Sequence, residues 1–173
     1  VHQQHAEPWK VTVVDTGLNT MTGGRIKRIA PYVNNETFML TYGDGVSDVP
    51  MDKVLAFHKS HGKICTMTAV KPEGRFGILD LKGDCIASFR EKSKQDVGYI
   101  NGGYMIVEPE IFKYIAGDET TFEREPLETI ANEGQLMAYK YNGFWQCMDT
   151  MRDRQKLEEL WDAGKAPWKV WSD

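Results

Sequence analysis

Cysteine is scarce in this sequence: Cys65, Cys85 and Cys147 are the three in 173 residues, and they stand far apart. An odd number without metal-type spacing excludes a disulfide framework and a zinc ribbon, and points to reduced thiols in the cytoplasm. No apolar run is long enough to cross a bilayer and no signal-peptide pattern is present, so no membrane partner is expected. A basic excess is also lacking. The formal net charge of -4 argues against a nucleic-acid partner, and the local group Arg25-Ile26-Lys27-Arg28 suits at most one phosphate ligand. There is no internal repeat, low-complexity segment or linker. What remains is ordinary for a globular chain, with 41% hydrophobic and 27% charged residues. The length fits one domain with a sizeable core, or most of a larger one. The chain begins at Val1 and enters folded-looking sequence at once, so residues 1–173 are expected to be a single, amino-terminally incomplete domain.

The pattern of elements is α/β. Val11–Val14 is rich in β-branched residues and predicts a strand. Ile26, Ile29, Ala30 and Val33 recur at helical spacing, with Thr22 as a candidate N-cap and Pro31 with Asn34-Asn35 at the end. Phe38–Thr41 predicts a buried strand. Pro50 opens a helix whose stripe is Met51, Val54, Leu55 and His58, closed by Gly62. Strands are expected at Ile64–Val70, Gly77–Leu81, Cys85–Phe89 and Tyr99–Val107. Gly102-Gly103 inside the last of these predicts a bulge or a close ligand approach. Short helices follow Pro109 and Pro126. Leu136–Tyr141 and Phe144–Met148 are strands, and Thr150–Ala163 is the last helix, with Leu157, Leu160 and Trp161 on one face. Trp145 and Trp161 are expected in the core. Strands and helices alternate early and strands cluster from Gly77 to Val107, which predicts a mixed sheet flanked by helices with a small antiparallel piece.

The stretch Phe38-Met39-Leu40-Thr41-Tyr42-Gly43-Asp44-Gly45 carries the first chemical signal. An aspartate between two glycines at the carboxyl end of a strand is placed where open α/β sheets bind ligands. It suits a divalent cation bridging phosphates, although Asp and Gly also make plain turns. Asp149 sits between a short strand and a helix, where it could share that cation or simply cap the helix. Asp48, close to Pro50, reads as a helix-start residue. Glu91-Lys92 closes a strand, as a solvated pair or as ligands for sugar hydroxyls and a phosphate oxygen. Arg25, beside Gly23 and Gly24, reads as a phosphate contact or a surface charge. His58 reads as half-buried packing, and the other histidines as surface.

In order along the chain, Glu7-Pro8-Trp9, Val14-Asp15-Thr16-Gly17, Met21-Thr22-Gly23-Gly24-Arg25, Thr41-Tyr42-Gly43-Asp44-Gly45-Val46, Gly74-Arg75-Phe76-Gly77, Phe89-Arg90-Glu91-Lys92, Ile100-Asn101-Gly102-Gly103 and Gly143-Phe144-Trp145-Gln146-Cys147-Met148-Asp149-Thr150 form a specific set. With the tail Gly164–Lys169, this set resembles the sugar-phosphate nucleotidyltransferases, in their cytidylyl branch, over essentially the whole chain. The resemblance implies a Rossmann-like sheet, a Mg²⁺ cofactor, CTP and glucose 1-phosphate as substrates, and a homo-oligomer. It assigns Asp44 and Asp149 to the metal, and counts them with Lys92 as the catalytic set. Lys92 takes the sugar phosphate and Glu91 the glucose hydroxyls. Asn101, Gly102 and Gly103 line the sugar pocket. Thr16, Gly17, Gly23, Gly24 and Arg25 surround the nucleotide, and Gly43 and Gly45 let substrate approach backbone.

One part of the family pattern is not in this sequence. The opening strand, the Gly-Gly-x-Gly-Thr-Arg phosphate loop and the following Pro-Lys pair have no counterpart. The chain therefore resembles the carboxyl-terminal two-thirds of such an enzyme, and by itself is expected to be inactive. Two other readings compete: a non-catalytic fragment that binds a sugar nucleotide, and a metal-dependent glycosyltransferase. Glu91-Lys92 and the Ala166-Pro167-Trp168 tail speak against the second.

Overall fold

The computed structural model describes residues 9–72, 77–82, 85–91 and 98–171, with backbone alone for 77–82 and 85–91. Its centre is a four-stranded sheet in the order β1 (Phe38–Thr41), β6 (Ile100–Val107), β3 (Cys65–Val70), β7 (Leu136–Tyr141). Strand β6 runs antiparallel to both neighbours, whereas β3 and β7 are parallel. It follows that β1, β3 and β7 deliver their carboxyl ends to the same rim, where β6 begins. Two small antiparallel ladders complete the strands: β2 (Gly45–Ser47) with β8 (Trp145–Cys147), and β4 (Gly77–Lys82) with β5 (Cys85–Glu91).

Alternation along β6 builds the two core layers. Met105 and Val107 point to one face, where they meet Ile26 of α1 (Thr22–Arg28), Ile111 and Ile115, Phe122, and Leu127 and Ile130 of α3 (Glu125–Asn132). Ile106 points to the other face and packs with Val49 and with Val54 of α2 (Met51–His61). Met105, Ile106 and Val107 are fully buried, and burial of each such side chain stabilises the fold by about 1.5–3 kcal/mol. The residues on β6 thus face opposite layers because the strand period is two.

Helix ends follow local chemistry. Gly62 closes α2 with φ +61°, the left-handed conformation expected of a residue after a helix. The last helix, α4 (Met151–Asp162), starts with a capping box: the Asp153 N–H donates to the Thr150 hydroxyl at 3.2 Å and the Thr150 N–H to the Asp153 carboxylate at 3.1 Å.

The contact between α2 and the sheet is polar as well as apolar. The Lys63 N–H donates to His61 Nδ1 at 3.0 Å, so the His61 proton lies on Nε2, which donates to the Thr66 hydroxyl at 2.8 Å. Thr66 in turn donates to His58 Nδ1 at 2.8 Å, and His58 Nε2 donates to Glu108 at 2.9 Å. The Thr37 hydroxyl donates to the same carboxylate. His58 is 1% exposed, so its sequence reading as half-buried packing is corrected, as is the reading of His61 as a surface residue. Alternating polar partners on α2 and β3 hide in an apolar stripe, and period alone does not reveal them.

Other expectations change too. Val11–Val14 is irregular and Val13 is 91% exposed, because β-branched residues form a strand only where a sheet edge accepts them. Thr22 does not cap α1; the cap position is Met21, and the Thr22 hydroxyl accepts from the Phe122 N–H at 2.9 Å instead. The first helix ends at Arg28 and a 3₁₀ turn, Ala30–Tyr32, follows, with Asn34 and Asn35 at positive φ. Asp48 does not cap α2. Its carboxylate accepts from the Phe144 N–H at 2.8 Å and from the Tyr141 hydroxyl, tying two loops together. Trp161 is 48% exposed rather than core, stacked under Lys169, and Trp145 is half-buried. The bulge expected at Gly102-Gly103 is present: register shifts opposite Met67 and Ala69, and Gly103 has φ +80°.

Two outcomes follow for stability. A Cβ on Gly24 would lie 2.6 Å from Asp118 Cα and 2.7 Å from its carbonyl oxygen. Gly24→Ala should cost about 1–3 kcal/mol by overpacking, read as a lowered urea midpoint; an unchanged midpoint would contradict the packing. Burial, then the charges of His58 and Lys63, lower the His61 pKa. The unfolded chain takes up this proton near pH 6.5 and the folded chain resists it, so the stabilisation is full above that value and is lost as pH falls. The urea midpoint should drop between about pH 7 and 5, and less steeply in His61→Gln. An equal slope in the variant would count against His61.

Candidate functional site

The rim where β1, β3 and β7 end and β6 begins carries a small pocket. Its walls are Tyr42 and Asp44 after β1, Asn101, Gly102 and Gly103 of β6, and Trp145 of β8. Backbone register brings the segments that carry the two aspartates side by side. Gly45 pairs with Cys147, and the Met148 N–H donates to the Asp44 carbonyl at 2.7 Å. Asp44 thus lies across from Met148, just beyond the end of this ladder, and Asp149 follows Met148 in sequence. Both aspartates are exposed. The capping role that competed for Asp149 belongs to Thr150.

This ladder is held to the main sheet by two side chains to which the sequence reading gave no role in the site. The Trp145 indole N–H donates to the Gly102 carbonyl at 2.8 Å, and the Tyr104 hydroxyl donates to the Gly45 carbonyl at 2.7 Å. Burial raises the Tyr104 pKa, which keeps this donor protonated. The Asn101 side-chain oxygen accepts from the Gly103 N–H at 2.8 Å, which shapes the bulge, and its amide donates to the Tyr42 hydroxyl at 3.3 Å. An added Cβ on Gly43 would meet nothing within 4 Å. Backbone at this turn is open to a ligand.

The residues assigned to the nucleotide form a second group. Arg25 donates from Nη1 to the Thr16 hydroxyl at 2.6 Å and from Nη2 to the Leu18 carbonyl at 3.2 Å. Gly17, at φ +83°, donates its N–H to Asp15 at 2.8 Å. Gly23 and Gly24 are buried against loop 117–120, with the Gly23 N–H on the Thr120 carbonyl at 2.9 Å. They hold the first turn of α1 against that loop. Arg28 pairs with Asp118 on its surface, which lowers the Asp118 pKa through this hydrogen bond.

The two groups meet at Glu123. Its carboxylate accepts from the Tyr42 hydroxyl at 2.8 Å and from the Thr22 hydroxyl at 2.6 Å. Burial, then the bond to Glu123, raises the Tyr42 pKa, so the phenol stays a donor. Neither Glu123 nor Tyr42 was assigned a role from sequence. Tyr42 stood beside Gly43-Asp44 and was the available signal; Glu123 lies in a stretch without a pattern. Glu91 ends β5, and nothing is described of its side chain; Lys92 and Gly74-Arg75-Phe76 lie outside the described residues.

For a cation, the ligand atoms of Cys147, Asp149 and Asp153 lie within 4.8 Å of one another. Asp153 is 9% exposed and bound into the helix cap, and a thiol is a poor ligand for a hard ion. Asp44 and Asp149 are both exposed carboxylates, the donor type that a hard cation takes, and Asp44 stands beside the open backbone of Gly43.

No family model matches the chain. A glucose-1-phosphate cytidylyltransferase of Salmonella typhimurium is 53% identical over 172 residues, which cover 99% of this chain and 67% of the relative. The enzyme of the same name from Salmonella typhi gives the same identity and coverage. The chain thus spans about two thirds of the length of these relatives. Solved structures share the fold at low identity. A UDP-glucose pyrophosphorylase complexed with UDP-glucose superposes with a TM-score of 0.61 at 16% identity, over 87% of this chain and 65% of that one. HddC from Yersinia pseudotuberculosis gives 0.61 at 24% identity, over 83% and 64%. The ordered motifs, the sheet and the relatives agree, and the chain belongs to the glucose-1-phosphate cytidylyltransferase family of sugar-phosphate nucleotidyltransferases.

Proposed function

We propose that the native protein transfers the cytidylyl group of CTP to glucose 1-phosphate, forming CDP-glucose and pyrophosphate. The observation that carries this is the identity of 53% to relatives of that name over 99% of the chain, with Asp44 in the wall of the pocket and Asp149 just past the end of the strand that pairs with β2. A phosphate oxygen of glucose 1-phosphate attacks the α-phosphorus of CTP. The bond from that phosphorus to the oxygen bridging to the β-phosphate breaks, and pyrophosphate leaves with the electron pair. Such a displacement depends on alignment and on charge neutralisation more than on a covalent nucleophile.

Asp44 and Asp149 hold the metal in this reading. When bound, Mg²⁺ neutralises charge on the triphosphate. Asn101, with the backbone of Gly102 and Gly103, lines the glucose pocket, and Glu91 takes sugar hydroxyls. Lys92 takes the sugar phosphate as a compact charge. Thr16, Gly17 and Arg25 face the nucleotide; Gly23 and Gly24 set the start of the helix that presents Arg25. Gly43 and Gly45 leave room for phosphate oxygens. Trp145 and Tyr104 hold the aspartate ladder in register with the glucose pocket.

Residues 1–173 are read as one domain. The exposure of Val11 (75%), Val13 (91%) and Leu18 (92%) supports a homo-oligomer, which sedimentation would refute by finding a monomer. No described helix is long and apolar enough to cross a membrane. In this reading the reaction is cytoplasmic and supplies activated sugar for bacterial surface polysaccharide such as O-antigen.

Pyrophosphate release from CTP, glucose 1-phosphate and Mg²⁺ by the native protein is the test. Asp44→Asn and Asp149→Asn should each lower kcat by on the order of 10²-fold or more. Each should also weaken Mn²⁺ binding followed by paramagnetic relaxation, a readout independent of turnover. Full activity in both variants would remove the shared metal site. Glycosyl transfer without pyrophosphate release would replace the proposed reaction.

A further inference from the structure

The group around Thr16 and Arg25 and the pocket around Asn101 are separate in sequence, and they belong to different parts of the fold. The first rests on α1. That helix is fastened to the loop before α3 by backbone: Met21 N–H to the Asp118 carbonyl at 2.8 Å and Gly23 N–H to the Thr120 carbonyl at 2.9 Å. The glycines leave no slack there, since a Cβ on Gly23 would lie 2.7 Å from the Thr120 carbonyl oxygen. Lys27 adds two bonds from Nζ, to the carbonyls of Ile115 at 2.6 Å and Ala116 at 2.9 Å. Helix α1 and residues 115–123 therefore move as one body. The second group rests on β6 and on the turn after β1.

We infer that Glu123 is a positioning residue that couples binding of the sugar phosphate to binding of the nucleotide; this deepens the reading of the site given above and rests on it. Glu123 sits on the α1 body and spends one carboxylate oxygen on each side. Oε2 accepts from Thr22, the first residue of α1, whose oxygen also accepts from the Phe122 N–H. Oε1 accepts from Tyr42, and the Tyr42 oxygen accepts from the Asn101 amide. The chain of bonds runs Asn101, Tyr42, Glu123, Thr22, and ends one turn from Arg25. Every hydroxyl in it has one proton and one defined acceptor, so the donors have a fixed direction. A sugar hydroxyl that donates to the Asn101 side-chain oxygen polarises the amide, strengthens its bond to the Tyr42 oxygen, and so strengthens the bond that Tyr42 donates to Glu123. Ordering of the α1 body by nucleotide acts on the same bond from the other end. Each ligand then finds the link already ordered by the other, which is positive coupling.

A link of this kind is read as a coupling between the two binding events. The native protein is titrated with glucose 1-phosphate by calorimetry, with and without the α,β-methylene analogue of CTP, in which the scissile bridge cannot break. The ratio of the two affinities is the coupling factor. It should be about fivefold or more in the unaltered protein. In Glu123→Gln the amide nitrogen accepts nothing, so one of the two hydroxyls loses its acceptor. The factor should fall towards one, with smaller changes in either affinity alone. Tyr42→Phe should do the same, and the double variant should lose no more than either single one. Thermal melts identify variants that fail to fold, and the two substitutions serve as alternatives. A coupling factor of one in the unaltered protein overturns the inference and leaves the reaction standing. So does an unchanged factor in Glu123→Gln with both separate affinities reduced, or independent losses in the double variant. Failure of the unaltered protein to bind either ligand overturns the reaction and the inference together.

Discussion

Strand β6 is the constraint on which the rest of this fold depends. It lies between β1 and β3 and runs against both, and Met105, Ile106 and Val107 pair in both ladders at once. Met105 and Val107 anchor the α1 and α3 layer, while Ile106 anchors α2. At its amino end the same strand bulges, and Gly102 and Gly103 sit just past the carboxyl end of β1. A Cβ on Gly102 would lie 3.0 Å from the Thr68 carbonyl oxygen, and one on Gly103 would lie 3.0 Å from the Tyr42 ring. Close backbone approach there allows Trp145 to reach the Gly102 carbonyl. Core and pocket are thus consecutive turns of one strand.

Much of this was legible. The strands around Phe38, Cys65, Ile100 and Leu136 are short apolar runs bounded by turn residues, and the helix after Pro50 has both its start and its stop written locally. The ordered motifs carried the family. What sequence did not disclose depends on long-range partners. Val11–Val14 has the composition of a strand and none of the pairing. Asp48 looks like a helix-start residue because Pro50 follows, yet its acceptor oxygen is taken by residues 141 and 144. Thr22 looks like a cap and bonds instead to residues a hundred positions away. Glu123 has no local signal at all, because its role is defined by two hydroxyls from distant segments. Asp149 was ambiguous until Thr150 and Asp153 took over the cap.

The site contains two kinds of constraint. Gly23, Gly24 and Gly102 fix distance by lacking a side chain, which admits no adjustment. Tyr42, Tyr104, Trp145 and Glu123 fix direction by hydrogen bonds, which admit exchange of partners. Ligands act on the second kind more readily than on the first, since hydrogen-bond partners can be replaced by substrate atoms or by water.

The bonds from His61 and His58 to Thr66 have a consequence for how α2 is held. Contacts of Val54 and Leu55 with the sheet are apolar and nearly indifferent to a small roll of the helix about its axis. The two imidazoles, three residues apart, are not. Each must keep its own nitrogen within bonding reach of one hydroxyl on β3, and any roll that improves one angle worsens the other. The pair therefore sets the rotational phase of α2, and with it the angle at which Pro50 returns the chain from the aspartate turn.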